Sequence, residues 1–190
     1  GRVLLKSKIA AYHSVSTFVD GVIKRDLLNN RDGPPKISSS VIADIAIPTA
    51  QSETGRISET VFLDRLPTEP YILYVGALQT NKGIKVLLTA YERLTSPPPL
   101  VLIGTVWHDT PQTFPPGGVV FHSLPHECVM VAFEYCLFGI VPSILPDALP
   151  GVIREAMSKG KAVIGTAVGG IVDMIADGET GLLIPPGDVD

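Results

Sequence analysis

Short apolar runs recur through the second part of the chain and alternate with segments of helical periodicity. The run Tyr-Ile-Leu-Tyr-Val at residues 71–75 stops at Gly76, and apolar residues then recur at helical spacing through residues 84–94. Runs without polar residues are typical of strands that are buried on both faces of a parallel sheet. Because strands and helices alternate, the sequence predicts an α/β fold built on a parallel sheet.

Several such runs and helical segments follow one another from residue 71 to the end of the chain. The predicted strands are residues 71–75, 100–104, 119–122, 137–141, 161–165 and 181–185. The predicted helices are residues 84–94, 126–136, 151–160 and 170–176. Ligands of parallel sheets bind beyond the carboxyl ends of the strands. The residues at those ends are Gly76, Gly104, Ser123, Ser143, Gly165 and Pro185.

The first part of the chain has weaker patterns. Residues 9–15 predict a strand, and residues 17–28 predict a helix capped by Ser16 or Thr17. A cluster of Asn, Asp, Gly and Pro at residues 29–35 marks a boundary. A short β-branched run follows at residues 40–45, and the polar, Pro- and Gly-containing residues 48–70 predict mostly loop.

Composition excludes several classes of function. The chain has 190 residues, of which 45% are hydrophobic, so it can bury one large core. Its net charge of -4 leaves no broad basic face for nucleic acid. The most apolar segment, residues 128–141, is interrupted by Glu134 and Gly139, whereas a membrane span needs about 20 apolar residues. We therefore expect neither nucleic acid nor a membrane as a direct partner.

The two cysteines indicate the compartment. If Cys128 and Cys136 both lie on the predicted helix of residues 126–136, they stand about 12 Å apart along its axis. That separation is too long for a disulfide. Free thiols are typical of a reducing compartment, and we expect a cytoplasmic protein.

Two acids flank a predicted helix start. Asp147 and Glu155 are separated by seven residues, and Pro150 and Gly151 between them mark where the loop becomes helix. The first N–H groups of a helix have no partner within it and favour an anion. Carboxylates on either side could hold hydroxyl groups. A phosphate between two sets of sugar hydroxyls is the outline of a nucleotide sugar.

Other polar residues near the strand ends have more than one interpretation. Helical angles place both Arg154 and Glu155 outside the apolar stripe of their helix, so periodicity selects neither. His122 and His126 lie near a strand end and either face a ligand or are partly buried structural residues. Trp107 and His108 either stack on a base or cap the surface. The pair at residues 169–170 either admits a phosphate or lets helix and strand pack closely.

A set of short motifs occurs in a fixed order along the chain. They are Val-Gly-Ala-Leu at residues 75–78, Lys82-Gly83, Pro142-Ser143, Asp147, Glu-Ala-Met at residues 155–157, and residues 160–166, 168–170 and 177–182. Together they resemble the donor-binding half of retaining glycosyltransferases of the GT-B fold, group 1 or family 4. The resemblance covers residues 40–190 and is strongest from residue 71 onward.

This resemblance implies a fold and a reaction. The fold is a Rossmann-like parallel sheet with helices on both faces, which forms one half of a GT-B fold. The ligand is a nucleotide-diphospho-sugar, carrying UDP in the first instance and GDP or ADP otherwise. The reaction transfers a hexose with retention at the anomeric carbon. Neither a metal nor another cofactor is expected, because cations and a helix terminus neutralise the leaving diphosphate.

The resemblance also assigns roles to residues of this chain. Asp147 would contact the donor sugar, Lys82 the diphosphate and Glu155 the ribose hydroxyls. The donor-binding set implied by the motifs is Gly76, Lys82, Ala148, Leu149, Gly151 and Glu155. Two positions depart from the family pattern: Asp147 stands where the family usually has Glu, and Ala77 stands where it has an Arg. A guanidinium at position 77 would give bidentate contacts to phosphate.

Domain organisation follows from the same resemblance. Residues 1–38 are expected to be a remnant of an N-terminal acceptor domain with its linker, and residues 39–190 a donor domain truncated at its C-terminus. The acceptor, a sugar, lipid or small molecule, would bind through the missing domain, so this piece would be inactive alone. Two alternatives remain: a nucleotide-sugar epimerase of the same layout, and a non-catalytic nucleotide-binding module, which Ala77 favours.

Overall fold

The computed structural model describes residues 11–28, 38–41, 62–122 and 124–190. Its strands are β1 (Ala11–Ser14), β2 (Ser38–Val41), β3 (Tyr71–Val75), β4 (Leu100–Ile103), β5 (Val119–Phe121), β6 (Cys136–Val141), β7 (Val163–Thr166) and β8 (Gly181–Ile184). Its α-helices are α1 (Thr17–Val22), α2 (Ile84–Glu92), α3 (His126–Tyr135) and α4 (Gly151–Ser158). Shorter helical turns are the π-helix Ile23–Leu28 and the 3-10 helices Thr80–Lys82 and Gly169–Asp173.

The main sheet is parallel throughout. Its strand order is β5-β4-β3-β6-β7-β8, and every neighbouring pair runs in the same direction. The chain builds one half of the sheet outward from β3, crosses over, and builds the other half outward from β6. In doubly wound sheets the crevice for ligands opens where the two halves meet. Here that switch point lies between the carboxyl ends of β3 and β6.

Helices cover both faces of this sheet. Alternate residues of a strand point to opposite faces, and Tyr71 and Leu73 of β3 belong to one core cluster together with Phe133 of α3. Ile72 of β3 belongs to the other cluster, together with Leu87 of α2. The predicted fold class, a Rossmann-like parallel sheet with helices on both faces, is therefore confirmed. None of the helices in the described residues combines the length and the apolar character needed to span a membrane.

Several element ends in this part of the chain differ by one or two residues from the sequence prediction. Cys136 is the C-cap residue of α3 and also begins β6, where it pairs with Tyr71 across the sheet. The two cysteines are buried and not joined by a disulfide. Residues 170–176 do not form an α-helix. The shorter 3-10 turn Gly169–Asp173 stands there, because the Ala176 amide donates to the Thr180 hydroxyl oxygen and not to a helical carbonyl.

The N-terminal segments form a separate two-stranded sheet. β1 pairs in parallel with β2, with His13 opposite Ser40. The predicted helix of residues 17–28 is α1 followed by the π-helix, and Ser16 is its cap, accepting from the Val19 amide at 3.3 Å. β2 crosses the expected boundary between residues 38 and 39, and the division into domains stays a prediction. Most of the β-branched run at residues 40–45 and most of the predicted loop at residues 48–70 lie outside the described residues.

One aromatic residue in the expected loop belongs to the core. Phe62 is fully buried and contacts Phe121 edge-on, with ring centroids 5.1 Å apart. The Arg65 guanidinium lies 4.7 Å from the centroid of the Phe121 ring, a cation–π geometry. Phe62 lies in the short apolar run Val61-Phe62-Leu63, which is too short to show a periodicity, so the sequence did not reveal this contact.

Backbone segments interlock at the carboxyl edge of the sheet. Gly83 ends the 3-10 turn Thr80–Lys82 with a left-handed φ of +77°. A Cβ at this position would collide with the carbonyl oxygen of Pro142 at the end of β6. Glycine is therefore required twice at position 83, by the conformation and by the close approach of two loops.

We expect Gly83→Ala to destabilise the protein far more than Gly178→Ala. Both glycines have a φ of +77°, but a Cβ at Gly178 would meet no atom within 4 Å. The left-handed conformation costs about 1 kcal/mol in both variants, and the collision adds at least about 2 kcal/mol at Gly83. Urea unfolding measures both values. Equal losses would show that the two loops can separate without cost.

Buried ionisable groups make the core sensitive to alkali. Tyr71 is fully buried and its hydroxyl donates to the Ala132 carbonyl at 2.7 Å. Burial raises the pKa of Tyr71 and of Tyr74 above the ordinary value of 10.0. Burial also raises the pKa of the Cys136 thiol to about 11. In each case the folded state holds a proton that the unfolded chain releases at a lower pH.

The free energy of unfolding should therefore fall as the pH rises above 9, and the loss should continue through the raised pKa values. Between its pKa in the unfolded chain and its pKa in the folded protein, each group lowers the free energy of unfolding by up to about 1.4 kcal/mol per pH unit. Urea unfolding at about pH 8 and about pH 10.5 measures the difference. Tyr71→Phe should reduce the pH dependence, although it also loses a hydrogen bond. Equal stability of the wild type at both pH values would contradict this prediction.

Candidate functional site

A cavity of about 430 Å³ opens at the switch point between β3 and β6. Its walls come from the ends of these two strands, from the loops that follow them and from the first turns of α4. The lining residues are Tyr74, Val75, Gly76, Lys82, Val141, Pro142, Ser143, Asp147, Leu149, Pro150, Gly151, Val152 and Glu155. The topology of the sheet therefore places a polar crevice where a doubly wound fold holds its ligand.

Most residues predicted for the site lie in the wall of this one cavity. They are Gly76, Lys82, Asp147, Leu149, Gly151 and Glu155. Ala148, a described residue, lies outside the lining, and its side chain is exposed. Trp107 and His108, also described, lie outside the lining on an exposed loop. The structure thus places six of the predicted residues in the wall of one cavity and the seventh, Ala148, outside that wall.

The position of Ala148 is explained by the glycine pair at residues 169–170. The Gly170 amide donates to the Asp147 carbonyl at 2.7 Å. A Cβ at Gly170 would collide with the Ala148 carbonyl oxygen, and one at Gly169 would collide with the Asp147 backbone. The sequence interpretation that the pair lets a helix and a strand pack closely is replaced by close packing against the loop after β6. The pair supports the loop that carries Asp147.

The other side of that loop is held by Asn81, which the sequence did not single out. The amides of Ile144 and Leu145 donate to the Asn81 carbonyl at 2.9 and 3.3 Å. Because the acceptor is a backbone group, no residue type in the sequence signals it. The loop after β6 is therefore fixed between the Lys82 turn and the 3-10 turn that follows β7.

Lys82 and Asp147 form an ion pair in the wall of the cavity. The Lys82 Nζ donates to Asp147 Oδ2, and the two side chains are 38% and 25% exposed. Partly exposed pairs of this kind are worth at most about 1 kcal/mol. The pair is therefore weak enough to open when another anion approaches Lys82.

The structure distinguishes Glu155 from Arg154. Glu155 lines the cavity at the switch point, whereas Arg154 lines a second cavity of about 450 Å³ with Thr17, Met157 and other residues. Successive helical residues point about 100° apart, so one turn of α4 serves two crevices. The position of α4 on the sheet alone decides which of the two residues faces which cavity.

His126 contacts Glu155, a relation that sequence reasoning missed. Its Nε2 lies 3.3 Å from Glu155 Oε1, and the imidazole is 49% exposed. His126 is the first residue of α3. The sequence showed that His126 lies near a strand end. It did not show the contact with Glu155, because that residue is 29 residues away along the chain.

The start of α4 offers free backbone donors to the cavity. Pro150 is the N-cap residue, and among the described residues no side chain caps this helix. Gly151 and Val152 of the first turn line the cavity. Uncapped N–H groups carry partial positive charge and suit an anion. Together with Lys82 they form a cationic end of the cavity, and the Glu155 carboxylate can accept hydrogen bonds from hydroxyl groups.

Among the described residues, no three His, Cys, Asp or Glu side chains are grouped closely enough to hold a metal ion. The expectation that a donor binds here without a metal stays a prediction.

The fold and the cavity define an α/β domain with a crevice at the switch point of its sheet, lined by Lys82, Asp147 and Glu155 among others. The family model of the group 1 glycosyl transferases matches residues 69–190, and the chain belongs to this family. Trehalose synthase of Pyrococcus horikoshii is 30% identical over 172 residues, which cover 80% of this chain and 40% of that protein. The chain thus spans about two fifths of the length of the curated relatives it matches.

Solved structures share the fold over nearly the whole chain. Sucrose-phosphate synthase of Thermosynechococcus elongatus has a TM-score of 0.70 at 22% identity and covers 99% of this chain and 49% of its own. The HepE protein of Anabaena, in complex with UDP, has a TM-score of 0.73 at 16% identity, covering 98% and 53%. The chain therefore corresponds to one half of a GT-B fold.

Proposed function

We propose that the cavity at the switch point binds the nucleoside diphosphate of a nucleotide sugar. The chain would be the C-terminal, donor-binding half of a retaining family 4 hexosyltransferase, with residues 39–190 as the donor domain. Family membership supports a glycosyltransferase. The HepE structures in complex with UDP and UDP-glucose favour UDP as the first nucleotide to test.

One observation carries this proposal: a single cavity unites Lys82, the uncapped start of α4 and the Glu155 carboxylate. Lys82 and the amides of Gly151 and Val152 would contact the diphosphate oxygens. Glu155 would accept hydrogen bonds from the ribose hydroxyls, and His126 would hold its Oε1. Asp147 would orient the hydroxyls of the sugar.

The same groups would serve the reaction. The bond between the anomeric carbon and the diphosphate oxygen breaks, and the acceptor oxygen bonds to that carbon on the same face. The acceptor hydroxyl would pass its proton to the leaving diphosphate oxygen as this bond forms, and the electron pair of the broken bond stays on the diphosphate. Its growing negative charge is stabilised by Lys82 and by the α4 amides, which are already oriented. The acceptor itself would bind outside the donor cavity.

The Lys82–Asp147 ion pair competes with the ligand in this scheme. Asp147 Oδ2 accepts from one of the three N–H donors of the Lys82 ammonium and partly neutralises its charge. A doubly charged diphosphate is the stronger acceptor. Binding would therefore release Asp147 from Lys82 and free its carboxylate for the sugar.

A second candidate, nucleotide binding without transfer, is favoured by Ala77. This position carries a methyl group, and its backbone carbonyl accepts from the Tyr74 hydroxyl at 2.6 Å. A guanidinium contact to the diphosphate is then unavailable from position 77. Product analysis of the full-length protein with UDP-glucose and sugar acceptors separates the candidates, because only a transferase releases UDP and a glycoside.

Glu155→Gln should weaken UDP binding at least about tenfold, because hydrogen bonds from hydroxyls to a carboxylate become bonds to a neutral amide. Titration calorimetry with UDP, GDP and ADP measures the affinities. Glu92→Gln is the matched control: Glu92 is exposed at the end of α2, and its affinity should stay within about twofold of wild type. The donor-site proposal fails if none of the three nucleotides binds, or if Glu155→Gln binds as tightly as wild type.

Substitutions of Asp147 and of Lys82 should change the affinity for UDP in opposite directions. Asp147→Asn should strengthen UDP binding about two- to fivefold, because it removes the competitor for Lys82 and a negative charge beside the diphosphate. Lys82→Met should weaken binding about tenfold. Lys85→Met, on the exposed side of α2, removes the same charge and should bind as wild type. Weaker UDP binding by Asp147→Asn would mean that Asp147 does not compete for Lys82.

A further inference from the structure

Asp109 contacts the turn that carries Lys82 from a separate loop. Its Oδ2 accepts a hydrogen bond from the Thr80 amide at 2.9 Å. Thr80 begins the 3-10 turn Thr80–Lys82, and within the described structure its own N-cap residue, Gln79, makes no side-chain capping bond. Asp109 therefore supplies the acceptor that a capping residue would normally provide.

Further bonds join the same two loops. The Leu78 amide donates to the Thr105 carbonyl at 2.9 Å. The buried Thr110 hydroxyl donates to the Leu78 carbonyl at 2.7 Å and accepts from the Trp107 amide at 2.8 Å. The loop after β4 is thus fixed against the loop after β3 on both sides of Asp109. Because these bonds fix the backbone around Asp109, they also fix the position of its carboxylate.

The second carboxylate oxygen of Asp109, Oδ1, is in an environment that opposes folding. Oδ1 is buried and, within the described part of the chain, has no hydrogen-bond partner. Burying an unpaired carboxylate oxygen opposes folding. Hydrogen bonds from the Thr80 backbone and side chain hold the pKa of Asp109 below its ordinary value of 3.8, so this carboxylate is charged at neutral pH. The charge of Asp109 lies beside a buried oxygen that has no partner within the described residues, which indicates that Asp109 does more than pack against its neighbours.

We propose that Asp109 is a positioning residue for the diphosphate, acting through the turn that aims Lys82 into the cavity. The Thr80 amide is two residues from Lys82, and the carbonyl of Asn81 between them holds the loop that leads to Asp147. Movement of this turn would therefore displace both members of the Lys82–Asp147 pair. This inference rests on the proposed function of the cavity.

The test compares Asp109→Ala with the conservative variant Asp109→Asn. The alanine variant should bind UDP roughly three- to tenfold more weakly, because the turn loses its acceptor. The asparagine variant keeps an oxygen that can accept from Thr80 and should recover most of the affinity. Asp64→Ala, at an exposed site before β3, is the charge-matched control and should bind as wild type. Titration calorimetry gives the affinities.

A double variant shows whether Asp109 acts through Lys82. In a Lys82→Met background, Asp109→Ala should change UDP affinity by less than about twofold. Amide hydrogen exchange provides a readout without nucleotide: Asp109→Ala should accelerate exchange in residues 78–84 while the remaining sheet stays protected.

The outcomes separate this inference from the proposed function. If no nucleotide binds the wild type, the proposed function fails, and faster exchange confined to residues 78–84 still supports Asp109 as the residue that positions the turn. Unchanged exchange in those residues overturns the inference. It is also overturned if Asp109→Ala binds UDP as tightly as wild type, or if its effect is equally large in the Lys82→Met background.

Discussion

Close backbone packing at the carboxyl edge of the sheet is the constraint on which the site depends. Gly83 lies against the carbonyl of Pro142, and the glycine pair at residues 169–170 lies against the Asp147 and Ala148 backbone. Side chains at these positions would force the three loops apart. Because the loops interlock, the loop after β6 is clamped between its neighbours, and the cavity has walls that do not depend on side-chain packing alone.

This clamp also sets the electrostatics of the cavity. Lys82 and Asp147 come from loops that are 65 residues apart in sequence, yet their charged groups touch. The first turn of α4 directs its amides toward the same space, since the loop before it is held in place. The wall of one cavity therefore combines Lys82 and the first turn of α4 with the carboxylates of Asp147 and Glu155.

The sheet could be read from the sequence because its strands are buried on both faces. A strand such as Tyr71–Val75 has no polar residue to obscure the pattern. Prediction was weaker where tertiary contacts override local preference. Cys136 continues a helical pattern but joins β6 through pairing with Tyr71. Phe62 is buried by partners that lie far along the chain.

The sequence by itself determined the class of fold, the order of its elements and most residue types of the site, because burial patterns, helix-start residues and ordered motifs are local properties. Only the tertiary structure decided that Glu155 and not Arg154 faces the cavity, since that depends on how α4 sits on the sheet. The contacts of Asn81 and Asp109 were also decided there. Each makes its contact with a partner far away along the chain, and such pairings arise only when the loops at one edge of the sheet are brought together.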